Sequence, residues 1–256
     1  MKLIQSRDNS FYKGLKRLAE SGRERRKTGR TLLDGVHLVD AYEKSCGPVE
    51  ALIVAQSALT GGEIAPYVAG RDGIILADAL MRDLGLVDTP SGLLAVAIMP
   101  AAPVAVDPGK DAILLDGVQD PGNVGTLLRT AAAAGVKQAL LGPGCASAWS
   151  PKVLRAGQGA HFALVIHEDA DLATFMTDYR GTTAVTCLDG ATSLYEARWQ
   201  GPLAWVFGAE GQGVRRELIA EAKLKIKIPM PCAVESLNVG AAAAICLFEA
   251  VRRRLG

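Results

Sequence analysis

The strongest constraint on the fold is the alternation, from residue 112 to residue 254, of short apolar runs with helix-like segments. Runs at 112–118, 138–141, 162–166, 183–187, 203–207 and 224–228 predict strands, and 125–134, 152–157, 172–178, 215–221 and 239–254 predict helices. Strands that are apolar on both faces need cover on both faces, which a parallel sheet with helical crossovers provides. The final helix is the clearest of these. Its AAAAICLFEAV stretch has high intrinsic propensity, and Arg252, Arg253 and Arg254 sit where the helix dipole favours cations.

Residues 1–100 follow the pattern more loosely, with strands expected at 31–33, 51–55, 73–76 and 93–98 and helices at 36–44 and 77–84. Residues 10–27 predict an amphipathic basic helix with Phe11, Leu15 and Leu18 on one side. MPAAPVAVDPGK, at 99–110, carries three prolines and little that can pack, as a linker does. The expected organisation is a small α/β domain at 1–100, a linker at 101–110 and a parallel-sheet domain at 111–256, which a length of 256 residues accommodates.

Charge divides along the same line. Over the whole chain it is +1, which taken alone argues against a nucleic-acid partner, but residues 1–30 hold ten Lys/Arg and three acids, a local +7 on a body of −6. A segment so charged points to a polyanion, and Lys13, Lys16, Arg17, Arg25 and Arg26 are its candidate phosphate contacts. With 49% hydrophobic and 21% charged residues the chain is ordinary globular protein rather than disordered or fibrous. Its five cysteines are scattered without a CxxC pair, and its three histidines form no HExxH, so neither a disulfide framework nor a zinc site is expected. There is no secretory leader and no apolar run of 18 residues, so a cytoplasmic protein that neither leaves the cell nor spans a membrane is expected.

Ligands bind at the carboxyl ends of parallel strands, so the loops there are the places to look for chemistry. In LLDGVQDPGNVGTLLRTAAAAGV (114–136) a strand runs into a glycine-bearing turn and a helix carrying Arg129, with Asn123 able to cap that helix and its first-turn N–H groups able to hold an anion. In WVFGAEGQGVRREL (205–218) Gly208, Gly211 and Gly213 surround one carboxylate, Glu210; glycines let a ligand approach the backbone. In IKIPMPCAVESLNVGAAAAICLFEA (226–250) Ser236 and Asn238 stand at the mouth of the last helix, where either is also a plausible N-cap. No phosphate-binding P-loop or nucleophile elbow is present, and Gly142-Pro-Gly144 lacks the third glycine of a dinucleotide fingerprint because position 147 is serine.

Taken together and in this order, DGVQDPGNVGTLLRTA, FGAEGQGV and IPM…ESLNVGAAAAICLFE closely resemble the signature of the SpoU branch of the SPOUT RNA methyltransferases over about residues 110–254. TLLDGVHLVDAYEKSCGPVEALIV resembles, more loosely, the small substrate-binding domain often attached to that family, with Asp34 where glutamate is commoner. The resemblance implies a parallel-sheet domain with a deep trefoil knot, a homodimer, and methyl transfer from S-adenosylmethionine to a ribose 2′-hydroxyl without a metal. It implies RNA as the substrate, ribosomal before transfer RNA; a fold-sharing RNA binder without catalysis and a base methyltransferase are the readings set against it. It also implies that Gly208, Ile228 and Leu237 hold the cofactor and that Arg129 is the central catalytic residue, with Asn123, Glu210, Ser236 and Asn238 around it. A guanidinium is a poor base, so Arg129 is expected to bind the neighbouring phosphate and stabilise the alkoxide, leaving Glu210 or a substrate phosphate to take the proton. Lys152 and Arg155, in a stretch that also resembles the family, are further candidate RNA contacts.

Overall fold

The computed structural model of the chain describes residues 1–86, 89–100, 105–188, 190–231 and 236–255. The first four residues of the expected linker, together with Cys232 and Glu235, lie outside the described residues. In chain order the elements are β1 (Lys2–Ile4), α1 (Ser10–Glu20), α2 (Gly22–Thr28), β2 (Arg30–Asp34), α3 (Val36–Cys46), β3 (Ala51–Ala55), α4 (Ile64–Val68), β4 (Ile74–Leu76), α5 (Asp78–Asp83) and β5 (Leu93–Ile98). They continue with β6 (Ala112–Asp116), α6 (Pro121–Ala133), β7 (Gln138–Leu141), α7 (Pro151–Gly157), β8 (Val165–His167), α8 (Leu172–Asp178), β9 (Thr182–Thr186), β10 (Thr192–Ser193), β11 (Leu203–Gly208), α9 (Arg216–Glu221), β12 (Leu224–Lys227) and α10 (Val239–Leu255).

Two compact units form, Met1–Ala102 with Trp149–Phe162 and Pro103–Ala148 with Ala163–Gly256. In the first, a five-stranded sheet runs β1-β4-β3-β5-β2, with β5 antiparallel to both its neighbours. Side chains alternate across it with period two. Leu32, Ile53, Leu94 and Val96 join one core with Tyr12, Leu15 and Leu18 of α1, while Leu33, Leu52, Val54, Leu93 and Ala95 join the other with Leu38 and Tyr42 of α3.

Residues 149–162 were expected within the parallel-sheet domain and instead complete this first unit. Leu154 is fully buried in the second core, Trp149 and Phe162 pack against it, and Thr31 Oγ1 donates to the Trp149 carbonyl at 2.8 Å. A core face of the small sheet left open by its own chain is closed by a segment from far along the sequence.

The second unit holds a seven-stranded sheet in the order β10-β12-β9-β11-β6-β7-β8, parallel throughout. The central strands β6, β7 and β11 are buried along their length, as a sheet covered on both faces requires. On one face Leu114, Leu140, Val185 and Val206 pack under α8 and α9. The alternate residues Ile113, Leu141, Trp205 and Phe207 look the other way, where α6 and α10 lie against each other.

The basic N-terminal helix is two helices rather than one. Ser21 is extended (φ −114°, ψ 109°), ends α1 and caps α2 by accepting from the Glu24 N–H. The bend returns Arg25 into the fold: it is only 5% exposed, and its Nη1 donates to the Leu18 and Ala19 carbonyls at 2.8 and 3.2 Å. Arg25, expected among the RNA contacts, is thus a capping residue for the carbonyls at the end of α1. Lys13 pairs with Asp8, Lys16 with Glu20 and Asp83, and Arg17 with Glu24. Arg23, Arg26 and Lys27 are exposed and, among the described residues, have no carboxylate within ion-pair range. Arg25→Ala leaves the buried Leu18 carbonyl and the part-buried Ala19 carbonyl without this donor and is expected to cost about 1–3 kcal/mol in chemical denaturation, whereas Arg26→Ala stays within about 0.5 kcal/mol of the parent.

Candidate active site

The second unit's loops converge where β6, β11 and β12 end. After β11 the chain doubles back so tightly that a Cβ on Gly208 would lie 2.1 Å from the Gly213 carbonyl carbon and 2.2 Å from the Val214 nitrogen. Gly213 N–H donates to the Ala209 carbonyl at 2.8 Å, and Gly213 has φ +69°, so glycine is needed at both ends of the turn. The turn is then tied down. Asp116, the last residue of β6 and the register partner of Gly208, is 3% exposed; its Oδ1 accepts from Arg215 Nε at 2.7 Å and its Oδ2 from the Arg215 backbone N–H at 2.8 Å.

The first helix starts earlier than expected because Asp120, not Asn123, caps it: the Asp120 side chain accepts the Asn123 N–H at 2.8 Å, and Pro121 occupies the first turn. Asn123 therefore keeps its amide free for other partners. The last helix approaches closely enough to supply one, because Gly240 presents no side chain: a Cβ there would meet Thr126 Cγ2 at 3.0 Å. Asn238 caps this helix, its Oδ1 accepting from the Gly240 and Ala241 N–H groups at 2.9 and 3.3 Å. Its Nδ2 donates to Asn123 Oδ1 at 3.0 Å, and Asn123 Nδ2 donates to Glu210 Oε1 at 2.5 Å. One hydrogen-bonded line thus joins all three motif segments, and each amide orientation is dictated by the one before it. Glu210 Oε2 is left without a protein donor among the described residues.

Beside this line lies a cavity of about 670 Å³ whose wall includes Gly208, Ile228, Met230, Ser236, Leu237 and Val239. The three residues expected to hold the cofactor all line it, as do Glu210 and Ser236. Backbone at the tight Gly208 turn on one side and aliphatic side chains on the other suit a ligand with a flat heterocycle and a polar tail. Burial pushes the Cys145 thiol upward and that of Cys246 to about 12, so neither is a ready nucleophile.

Two expected site residues stand apart. Arg129 is exposed on α6, six residues after Asn123 and so about 240° further round the helix; it does not line the cavity and has no ion-pair partner among the described residues. Arg155 is in the first unit, where its Nη1 donates to the Asp34 carbonyl at 2.9 Å and lies 3.4 Å from the buried Asp34 carboxylate. That carboxylate also accepts from Ser91 through its hydroxyl and backbone N–H, so Arg155 braces the end of β2. Lys152 is exposed and keeps its charge for solvent or ligand. Motif reading missed the Asp116–Arg215 clamp, although a carboxylate ending an otherwise apolar strand was a legible sign that something would come to meet it. Among the described residues no group of three His, Cys, Asp or Glu is placed to hold a metal ion, and no helix is long and apolar enough to cross a membrane.

A family model described as the SpoU rRNA Methylase family matches residues 111–248. The 23S rRNA (guanosine(2553)-2′-O)-methyltransferase RlmP of Bacillus subtilis (strain 168) is 32% identical over 252 residues, 97% of this chain and 99% of its own. Among solved structures, one described as an RNA 2′-O ribose methyltransferase superposes with TM-score 0.86 at 28% identity, covering 99% of this chain and 100% of that one. An AdoMet-bound rRNA methyltransferase from Sinorhizobium meliloti superposes with TM-score 0.80 at 26% identity, covering 100% and 98%. Gly208→Ala sets a Cβ 2.1 Å from the Gly213 carbonyl carbon and is expected to cost about 1–3 kcal/mol in denaturation and to speed amide exchange across 209–214, leaving exchange in residues 1–86 unchanged.

Proposed function

Because the chain belongs to the SpoU rRNA methylase family, we propose that it transfers the methyl group of S-adenosylmethionine to a ribose 2′-hydroxyl of ribosomal RNA. The observation that carries this reading is the line Asn238–Asn123–Glu210, which gathers the three motif segments beside a cavity lined by Gly208, Ile228 and Leu237. Similarity to RlmP extends over both units, which favours ribosomal over transfer RNA and a catalytic enzyme over a binding protein that shares the fold.

When bound, S-adenosylmethionine supplies an electrophilic methyl group on a sulfonium centre. Gly208, Ile228 and Leu237 hold its adenosyl part, through main-chain groups and aliphatic cover that keep water out. Asn123 orients Glu210 by occupying Oε1, so that Oε2 accepts the proton leaving the ribose hydroxyl. Ser236, on the cavity wall, orients the hydroxyl. Arg129 binds the adjacent phosphate and stabilises the developing alkoxide, and positioning of this kind supplies up to about 7–11 kcal/mol of a barrier. Since Arg129 stands apart from Asn123 and Glu210 within one chain, the reading includes a homodimer in which a partner's Arg129 completes the site. It also includes the family's trefoil knot and a cytoplasmic location.

The first unit delivers the RNA. Of the basic residues near the N-terminus, Arg23, Arg26 and Lys27 carry charge not already matched by described carboxylates, and Lys152 adds to them. Removing residues 1–30 is not a usable test, because Ile4, Tyr12, Leu15 and Leu18 are core residues.

Incubated with labelled S-adenosylmethionine and 23S ribosomal RNA from a strain lacking it, the wild-type protein is expected to incorporate label as a 2′-O-methyl group and Arg129→Ala to incorporate none. Label in a base, or wild-type turnover by Arg129→Ala, overturns the assignment. Replacing Arg23, Arg26 and Lys27 together by alanine is expected to leave S-adenosylmethionine affinity unchanged, weaken RNA binding, and reduce the slope of log affinity against log salt by about 2 to 3.

A further inference from the structure

One side of the cavity beside Glu210 carries more positive charge than S-adenosylmethionine can use. Arg216, the first residue of α9, and Lys225 and Lys227 of β12 line it, against Glu210 as the one carboxylate lining it among the described residues. None of the three cations has an ion-pair partner among the described residues. Lys225 and Lys227 flank the fully buried Ile226, so both project from the opposite face of the strand, about 7 Å apart. That face is the one α9 covers, since Lys225 is the register partner of Val185, a core residue packed under α8 and α9. S-adenosylmethionine carries one carboxylate against an ammonium and a sulfonium, so three cations exceed what its tail can pair and in sum repel it. Arg216 and Lys227 are exposed, open to a ligand with several separated negative charges.

An exposed aromatic ring stands at the same edge of the sheet. Ser193 of β10, the outermost strand, is the register partner of Lys227, and the Leu194 N–H donates to the Lys227 carbonyl at 2.9 Å. Tyr195 follows and is 58% exposed. Its exposure is not slack in the chain. Leu194 and Ala197 on either side are buried, their carbonyls accept from Arg253 at 2.7 and 2.5 Å, and the same guanidinium lies over the Trp199 ring, 4.3 Å from its centroid. A ring held out in water on a pinned loop, beside a row of unpaired cations, is the composition of a surface for a nucleic-acid strand, whose phosphates the cations take and whose base the ring stacks. Within a duplex each base face is covered by its neighbours, so only an unpaired base or a helix end can use the ring.

We propose that Arg216, Lys225, Lys227 and Tyr195 form a docking face on the second unit for an unpaired stretch of the substrate RNA, with the cations on its phosphates and Tyr195 against one of its bases. The proposal rests on the ribose-methylation reading for the identity of the RNA, and it adds the conformation of the bound strand and its path beside the cofactor cavity.

The test is fluorescence anisotropy of the full chain with a labelled, unstructured RNA strand of mixed sequence, alone and annealed to its complement. Tyr195→Ala is expected to weaken single-strand binding about 5- to 150-fold with the salt slope unchanged and to leave duplex binding as in the wild type, whereas Tyr195→Phe, which keeps the ring, binds both as the wild type does. Replacing Arg216, Lys225 and Lys227 together by glutamine is expected to reduce the single-strand slope of log affinity against log salt by about 2 and to retain S-adenosylmethionine affinity by calorimetry. No loss from Tyr195→Ala, or an equal loss on strand and duplex, overturns the proposal, and so does a triple variant with the wild-type salt slope. A triple variant that loses S-adenosylmethionine affinity and keeps that slope assigns the cations to the cofactor carboxylate instead. None of these measurements requires methyl transfer, so a wild-type protein that leaves 23S ribosomal RNA unmethylated overturns the parent reading alone.

Discussion

The site depends on how one amide, that of Asn238, divides its two ends. Its oxygen is committed to the first N–H groups of the last helix, and its nitrogen can then only donate outward, to Asn123. Asn123 must present its own oxygen there and its nitrogen to Glu210. A helix cap is worth about 1 kcal/mol in stability; here it also sets the polarity of a line of hydrogen bonds that ends on the carboxylate. Two steric permissions make the line possible: Gly240, which lets α10 close on α6, and Gly208, which lets the chain reverse onto itself just before Glu210.

Around that line the parallel sheet acts as a rigid frame. Strands β6 and β11 are adjacent and in register, so the carboxylate ending one is beside the glycine ending the other, and Arg215 bridges back to it. The loop bearing Glu210 is held at its start by β11 and at its end by the ion pair, which leaves its middle exposed between two cavities. A polar loop fixed at both ends on fully buried strands gives a site with little rearrangement to make, the condition under which positioning contributes most to rate.

Charge is handled differently in the first unit. A count of the N-terminal basic residues suggests one continuous cationic face, yet Lys13, Lys16 and Arg17 have acidic neighbours and Arg25 is turned inward, so the unmatched charge is concentrated on α2. Arg155 is a parallel case, since as a residue type it suits RNA phosphate and in place it braces Asp34. Composition counts charges, whereas only packing says which of them a ligand can reach. The Asp120 cap teaches the same lesson on a smaller scale, because Asn123 and Asp120 are equally good capping types and the backbone path chose between them.

The sequence by itself determined the layered α/β architecture, the position of most strands, and the three segments that the hydrogen-bonded line joins. These follow from local periodicity and from the scarcity of residues that suit strand-end loops. Only the tertiary structure decided which groups meet. Residues 149–162 left the parallel-sheet pattern because the small unit's core face needed Leu154 and Trp149, and Asp116 found Arg215, 99 residues away, because a buried carboxylate must be paired. Such pairings are set by the free energy of burial and by strand order, neither of which is a property of any short stretch of chain.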